Sequence, residues 1–181
     1  MKYLVFFIKD DYFGIDIFKL AEVLNPVKLH AVPDVPEFIS GVINHRGEVI
    51  PVVSMRRRFG ITEEAGKARI VILGFGKGEK IGLLVDGVTE IAEIPRERIS
   101  KPSSLFKGFR PEFIEGIAEM GNERIIIIMD IERVFSTEEK VLLKESKRKA
   151  EGGKSPTKKT AKKGGGQKRL LRSAGVNVKD E

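Results

Sequence analysis

The chain of 181 residues contains no cysteine. Disulfides, thiolate nucleophiles and cysteine-ligated zinc are thereby excluded. Histidine is almost as scarce: His30 and His45 are the only two, each near a proline or glycine turn. A zinc site would need further ligands at suitable spacing, and none is evident. Long apolar runs are missing as well, since nothing approaches the roughly 18 residues that a membrane helix needs. The apolar residues 3–8 after Lys2 are too few for a signal peptide, and Lys9-Asp10-Asp11 stands where a small-residue cleavage site belongs. The expected location is therefore the cytoplasm. Glycine-rich phosphate loops are lacking too. Gly74-Phe75-Gly76-Lys77-Gly78 has no helix after it and reads as a hairpin turn. Gly153-Lys154-Ser155 has Arg148 where the earlier glycine should be. The carboxylate pairs Asp10-Asp11 and Glu63-Glu64 fall in turns, so neither suggests acid–base chemistry. No catalytic constellation survives inspection, and no cofactor is expected.

Charge is present in quantity but unevenly placed. Residues 144–181 hold 13 Lys/Arg against 4 Asp/Glu, whereas residues 1–143 hold 20 against 22. The net charge of +7 thus belongs to the tail, and the body is slightly acidic. Apolar content collapses after Lys144, which reads as a disordered, basic, low-complexity segment. It carries Lys147-Arg148-Lys149, Lys158-Lys159 and Lys162-Lys163 but no aromatic residue to stack on bases. Such a composition suits nucleic-acid phosphates or anionic lipid heads, or simple solvation.

The body repeats itself. Pro36-Glu37-Phe38-Ile39-Ser40-Gly41-Val42 returns as Pro111-Glu112-Phe113-Ile114-Glu115-Gly116-Ile117, and residues 14–23 echo residues 82–91 in the same order. Short apolar segments punctuated by Gly and Pro predict many strands: 3–8, 12–17, 28–32, 38–43, 48–53, 69–75, 80–85, 88–94, 113–118 and 124–129. The run Ile125 to Ile128 suits a strand buried on both faces. Pro51 implies an edge strand or a bulge, because it cannot donate to a ladder. Arg56-Arg57-Arg58 reads as a solvated basic face ending a short helical turn. Ser136-Thr137-Glu138-Glu139 has the capping-box pattern, predicting a short helix through Leu143. The pattern is mainly β and implies two small barrels side by side. The first is expected over about 12–60 with elements from the N-terminus and the second over about 68–135, giving a body of 1–143 and a tail of 144–181.

Only the first copy carries Asn44-His45-Arg46-Gly47 between its last two strands. With that turn, the stretch Phe38-Ile39-Ser40-Gly41-Val42-Ile43-Asn44-His45-Arg46-Gly47 through Val49-Ile50-Pro51-Val52-Val53 resembles the CheW family of chemotaxis coupling proteins. Tyr12-Phe13-Gly14-Ile15-Asp16-Ile17, Gly82-Leu83-Leu84-Val85-Asp86-Gly87-Val88 and Ile126-Ile127-Ile128-Met129-Asp130-Ile131-Glu132 extend the likeness over residues 3–143. His45 departs from the leucine usual in this turn, and the basic tail is no part of the family pattern. The resemblance implies two packed five-stranded SH3-like barrels and a non-catalytic adaptor in membrane receptor arrays. Such an adaptor links the cytoplasmic tips of chemoreceptors to the histidine kinase CheA, binding its regulatory domain. The alternatives are a CheW-like scaffold whose basic tail binds nucleic acid or an anionic membrane, and a related module serving another kinase pathway.

Candidate contacts follow. Arg46 can clamp a carboxylate or cap carbonyls on a receptor helix, or can pair internally with Glu22. The two readings are compatible if the pair shapes the receptor site. Ile70 is a further candidate for the groove between barrels. Ile17, Leu20 and Val23, with Leu4 on the adjoining hairpin, form either core or an apolar kinase-facing patch.

Overall fold

The computed structural model describes residues 1–63, 66–102, 111–121 and 124–152. The chain begins with a hairpin of β1 (Lys2–Ile8) and β2 (Asp11–Asp16), then a 3-10 turn at Ile17–Lys19 and β3 (Leu20–Leu24). There follow β4 (Ile39–His45), β5 (Glu48–Ser54) and the single turn α1 (Met55–Arg58). A second hairpin, β6 (Arg69–Phe75) and β7 (Glu79–Val85), leads to β8 (Gly87–Glu93), the short β9 (Ile99–Ser100), β10 (Ile114–Met120), β11 (Arg124–Met129) and α2 (Thr137–Gly152). Two sheets result, in the orders β8-β1-β2-β11-β10-β9 and β3-β6-β7-β5-β4. The first has a sixth strand only because β9 adds two residues; its counterpart in the other sheet is a lone bridge from His30 to Val42.

The copies seen in sequence are real, but they do not each build their own lobe. The hairpin of copy one, β1–β2, pairs with β8 and β11 of copy two. The hairpin of copy two, β6–β7, pairs with β3 and β5 of copy one. Each lobe is therefore half of each copy. This corrects the expected division at 12–60 and 68–135: one lobe spans residues 20–85, and the other joins residues 2–16 to 87–129. The exchange has a physical reason in the pattern of burial. Along β1, Tyr3 and Val5 enter a cluster with Ala92, Ile94, Ala118, Ile126 and Ile128. The alternate residues Leu4, Phe6 and Ile8 enter a larger core shared by both lobes, with Leu73, Ile81, Leu83 and Ile127. A strand apolar on both faces must lie between two cores, and this architecture supplies them. Ile126, Ile127 and Ile128 follow the same rule, whereas Ile125 at the strand start is 46% exposed.

The repeated phrase marks a repeated irregularity. The register of β4 against β5 shifts between Ile39 and Gly41, and that of β10 against β11 between Ile114 and Gly116. At Gly41 φ is +140°, and a Cβ there would stand 2.5 Å from the carbonyl oxygen of His30. Only glycine lets the two backbones meet so closely. The same feature explains Pro51. Its strand is interior rather than at an edge, with β4 on one side and β7 on the other. Opposite Pro51, however, Val42 turns both its N–H and C=O to His30, at 2.9 Å each, and β7 pairing begins only at Val52. No donor is required of the proline, and the bulge lies on its partner strand.

The helix α2 starts as the capping box requires. Ser136 Oγ accepts from the Glu139 amide at 3.2 Å, and Glu139 Oε2 accepts from the Ser136 amide at 2.7 Å. It then runs nine residues past Leu143, so the expected boundary of body and tail at 143/144 cuts a helix. What holds the extension is sparse but well placed. Leu143 is buried in the shared core, Ser146 is fully buried, and Ala150 packs on Val32, Val42 and Val49. The expectation of a disordered basic segment otherwise falls on residues 153–181, outside those described.

Of the three arginines of α1 only Arg57 is exposed, so the expected solvated basic face is reduced to one residue. Arg56 grips Asp86 through two hydrogen bonds, Nε to Oδ1 at 2.6 Å and Nη2 to Oδ2 at 2.5 Å. Arg58, only 9% exposed, donates to the Val134 carbonyl and both Glu139 oxygens and lies over the rings of Phe38, Phe113 and Phe135. Both guanidiniums are internal clamps, because buried carboxylates and carbonyls converge where α1 meets the crossing between lobes. Gly76 to Gly78 form the β6–β7 hairpin turn that the sequence implies, with Gly74 and Phe75 ending β6.

Candidate functional site

The most decorated surface lies where the ends of the five-stranded sheet meet. β3 and β4 are opposite edges of that sheet, yet Glu22 on β3 reaches the turn between β4 and β5, so the sheet curls until its edges touch. The turn has two central residues, Arg46 at φ 52° and Gly47 at φ 84°, with His45 and Glu48 paired at its base. Positive φ at both positions is the geometry of a type I′ hairpin. Arginine is unusual there, at a cost on the order of 1 kcal/mol. Asn44 holds the turn by accepting the Gly47 amide at 3.1 Å.

Glu22 is shared by two side chains, an imidazole and a guanidinium. Its Oε2 lies 2.9 Å from His45 Nε2 and 3.1 Å from Arg46 Nη2. The imidazole is the inner partner and the guanidinium the outer one: the His45 side chain is 22% exposed and that of Arg46 76%. Beyond them runs a second ionic chain. Lys80 Nζ meets Glu48 at 2.7 Å, and Lys147 of α2 meets Glu79 at 3.0 Å and Glu48 at 3.7 Å. The hydrogen bond from Lys80, aided by the charges of Lys80 and Lys147, holds the Glu48 carboxyl below its ordinary range against a smaller opposing effect of burial. The Glu79 hydrogen bond, with the charges of Glu79 and Glu48, raises the Lys147 ammonium, which burial alone would lower. Glu22, His45, Arg46, Glu48 and Lys80 together rim a small pocket of about 170 Å³.

The other lobe carries a comparable but plainer pair. Glu90, the echo of Glu22, pairs with Arg124, whose guanidinium stacks 4.8 Å above Tyr12. Arg124 is 30% exposed and occupied by that ring, so it is a closing contact. Among the described residues Arg46 has no ring beneath it, and it stands out from the surface.

Residues 2–139 match the family model described as the CheW-like domain. The chain belongs to the CheW family. It is 30% identical over 145 residues to Chemotaxis protein CheW of Klebsiella aerogenes, covering 78% of this chain and 86% of that protein. Against Chemotaxis protein CheW of Thermotoga maritima it is 28% identical over 142 residues, covering 78% and 90%. A solved structure, the scaffolding protein TtCheW from Thermoanaerobacter tengcongensis, superposes with a TM-score of 0.69 at 36% identity, over 76% of this chain and 89% of that one. The CheW fold of two packed β lobes is thus found in a chain whose helix α2 continues 13 residues past the CheW-like domain.

Of the residues singled out from sequence, Glu22 and Arg46 are brought together, and the internal pairing is present. Ile70 is not at a groove: it is 1% exposed, packed with Ile43, Ile50, Val52 and Ile72 inside its lobe. Leu4 is likewise 3% exposed and lies in the shared core. Both belong to strands buried on two sides, so alternation gave them no outward face. Ile17 and Leu20 are half-buried against the shared core, and Val23 is exposed. The sequence reading missed Phe18, which is 92% exposed. It sits on the 3-10 turn with its amide bonded to Asp16 Oδ1 at 3.0 Å, so an apolar ring is presented by a fixed backbone. An Asp followed two residues later by an aromatic residue, at the end of a strand, was the available signal. The reach of His45 to Glu22 has no signal in the sequence, since it depends on the curl of the sheet.

Proposed function

We propose that this CheW-family chain is a non-catalytic chemotaxis adaptor that couples the cytoplasmic tips of chemoreceptors to the histidine kinase CheA. Family membership supports this reading, and the observation that carries it is the exposed guanidinium of Arg46. It is held at positive φ beside Glu22, outside any internal packing. The receptor contact is assigned to Arg46 with Glu22, and the contact with the CheA regulatory domain to Phe18 and Val23, rimmed by Ile17 and Leu20. An exposed aromatic on a rigid turn is the type of anchor that protein interfaces favour. The adaptor biases the kinase by binding, within arrays at the cytoplasmic face of the membrane. Residues 153–181, with 9 Lys/Arg against 2 Asp/Glu, favour an accessory contact with phosphate groups of anionic lipid or nucleic acid.

Co-sedimentation of the full chain with receptor cytoplasmic fragments and CheA tests the assignment. The unsubstituted chain is expected to recruit kinase to receptor. Arg46→Ala is expected to lose receptor binding at least tenfold while keeping CheA, and Phe18→Asp to do the reverse. Failure of the unsubstituted chain to bind either partner overturns the reading.

A further inference from the structure

We propose that His45 is a positioning residue that takes sole charge of Glu22 when Arg46 turns outward to an acidic group of the partner. This rests on the adaptor reading of the same site. Among the described residues, the bond of Nη2 to Glu22 is the only hydrogen bond of the Arg46 side chain, although a guanidinium carries five N–H donors. Its backbone is pinned by the type I′ turn, so engagement of a partner is a side-chain movement away from Glu22. That movement has a consequence for the carboxylate left behind. Glu22 is only one-third exposed, and Glu48, a second carboxylate, rims the same pocket. Stripped of its cation, Glu22 would be left with incomplete solvation, which opposes release of Arg46.

His45 removes this opposition. Its Nε2 lies 2.9 Å from Glu22 Oε2, the same oxygen that Arg46 Nη2 approaches, and the ring is nearer the protein than the guanidinium. Glu48 cannot compete for the imidazole as a free anion, because Lys80 and Lys147 already hold it. Glu22 therefore keeps a hydrogen bond whichever way Arg46 points, and Arg46 is free to bind a carboxylate bidentately. A leucine at this position would give Glu22 no second donor. The histidine thus sets how readily the site accepts an acidic partner.

The test measures binding of a receptor-tip fragment to the full chain, with His45→Leu, His45→Gln, Arg46→Ala and the double variant Arg46→Ala/His45→Leu. His45→Leu is expected to weaken binding about three- to tenfold. His45→Gln, whose amide can still donate to Glu22, is expected to stay within about twofold of the unsubstituted chain. In the Arg46→Ala background, His45→Leu should change nothing further, since no handover remains. Melting temperatures of all variants identify any general loss of structure. Equal binding by His45→Leu and the unsubstituted chain overturns the proposal, as does an equal loss in both backgrounds; the adaptor reading survives either result. No binding by the unsubstituted chain overturns both.

Discussion

Replacing Asp86 by alanine tests how the two lobes are fastened. Asp86 is the single residue between β7 and β8 and is 8% exposed. Its carboxylate accepts from Arg56 Nε at 2.6 Å, from Arg56 Nη2 at 2.5 Å and from the Lys9 amide at 2.6 Å. It thus ties the β1–β2 turn of one lobe to α1 beside the other. Hydrogen bonds to charged groups contribute about 1.5–3 kcal/mol each, but those sharing one carboxylate do not add. Breaking a buried ion pair by removing one partner costs about 3–5 kcal/mol. Arg56 is 15% exposed and keeps its bond to the Glu63 carbonyl at 2.8 Å, so part of that cost is recovered by hydration. The expected loss is about 3 kcal/mol, against a total stability of about 5–15 kcal/mol for a typical domain. Urea unfolding of the full chain reads this as a lower midpoint at unchanged slope. Acid provides a second check. Burial alone would raise the Asp86 carboxyl, but the Arg56 hydrogen bonds, the Lys9 amide and the guanidinium charge outweigh it and hold the group below its ordinary value. Its contribution is therefore complete above the unfolded value near pH 4 and fades as pH falls through the folded one. Asp86→Ala should lie well below the unsubstituted protein at pH 7 and approach it in strong acid. A loss under about 1 kcal/mol at pH 7, or a gap that persists once carboxylates are protonated, refutes the clamp.

Two further substitutions probe the extension and the bulge. Lys147→Met, at the hub of the Glu48–Glu79 pairs, should cost about 0.5–1 kcal/mol near neutral pH, as partly exposed ion pairs do. Because Glu48 lies below its ordinary value and Lys147 above its own, the gap should be full between about pH 5 and 10 and should close in acid as the carboxylates protonate. A gap independent of pH would show that packing alone seats α2. Gly41→Ala should destabilise by about 2 kcal/mol or more, because its Cβ meets the His30 carbonyl. Gly47→Ala, with φ +84° and open space around it, should cost about 1 kcal/mol. Equal melting temperatures for the two alanine variants would refute the close-approach argument.

Much of this architecture was legible in residue order, and the limits were physical. The duplication, the hairpins and the capping box at Ser136 are local or nearly so, and each leaves its pattern in adjacent residues. The exchange of hairpins between copies leaves none, since the pairing partners of β1 and β6 lie some 50 to 90 positions away. For the same reason Leu4 and Ile70 looked available: alternation reports which residues share a face, but not that both faces are covered. The pairing of Glu22 with Arg46 could be guessed from charge, whereas His45 joined them only through closure of the sheet. Helix α2 past Leu143 was hidden because three well-seated side chains, Ser146, Lys147 and Ala150, do little to the average composition of a basic segment.

The exchanged strands also place one lobe wholly inside the sequence of the other. Residues 20–85 leave and rejoin their host through only two crossings, the three residues Ile17–Lys19 and the single Asp86. The second crossing is bolted to Arg56 and Lys9, and the core shared by both lobes packs the inserted body against its host. The Phe18 turn is itself one of the two crossings, so a partner seated there would grip the chain where it passes from one lobe into the other.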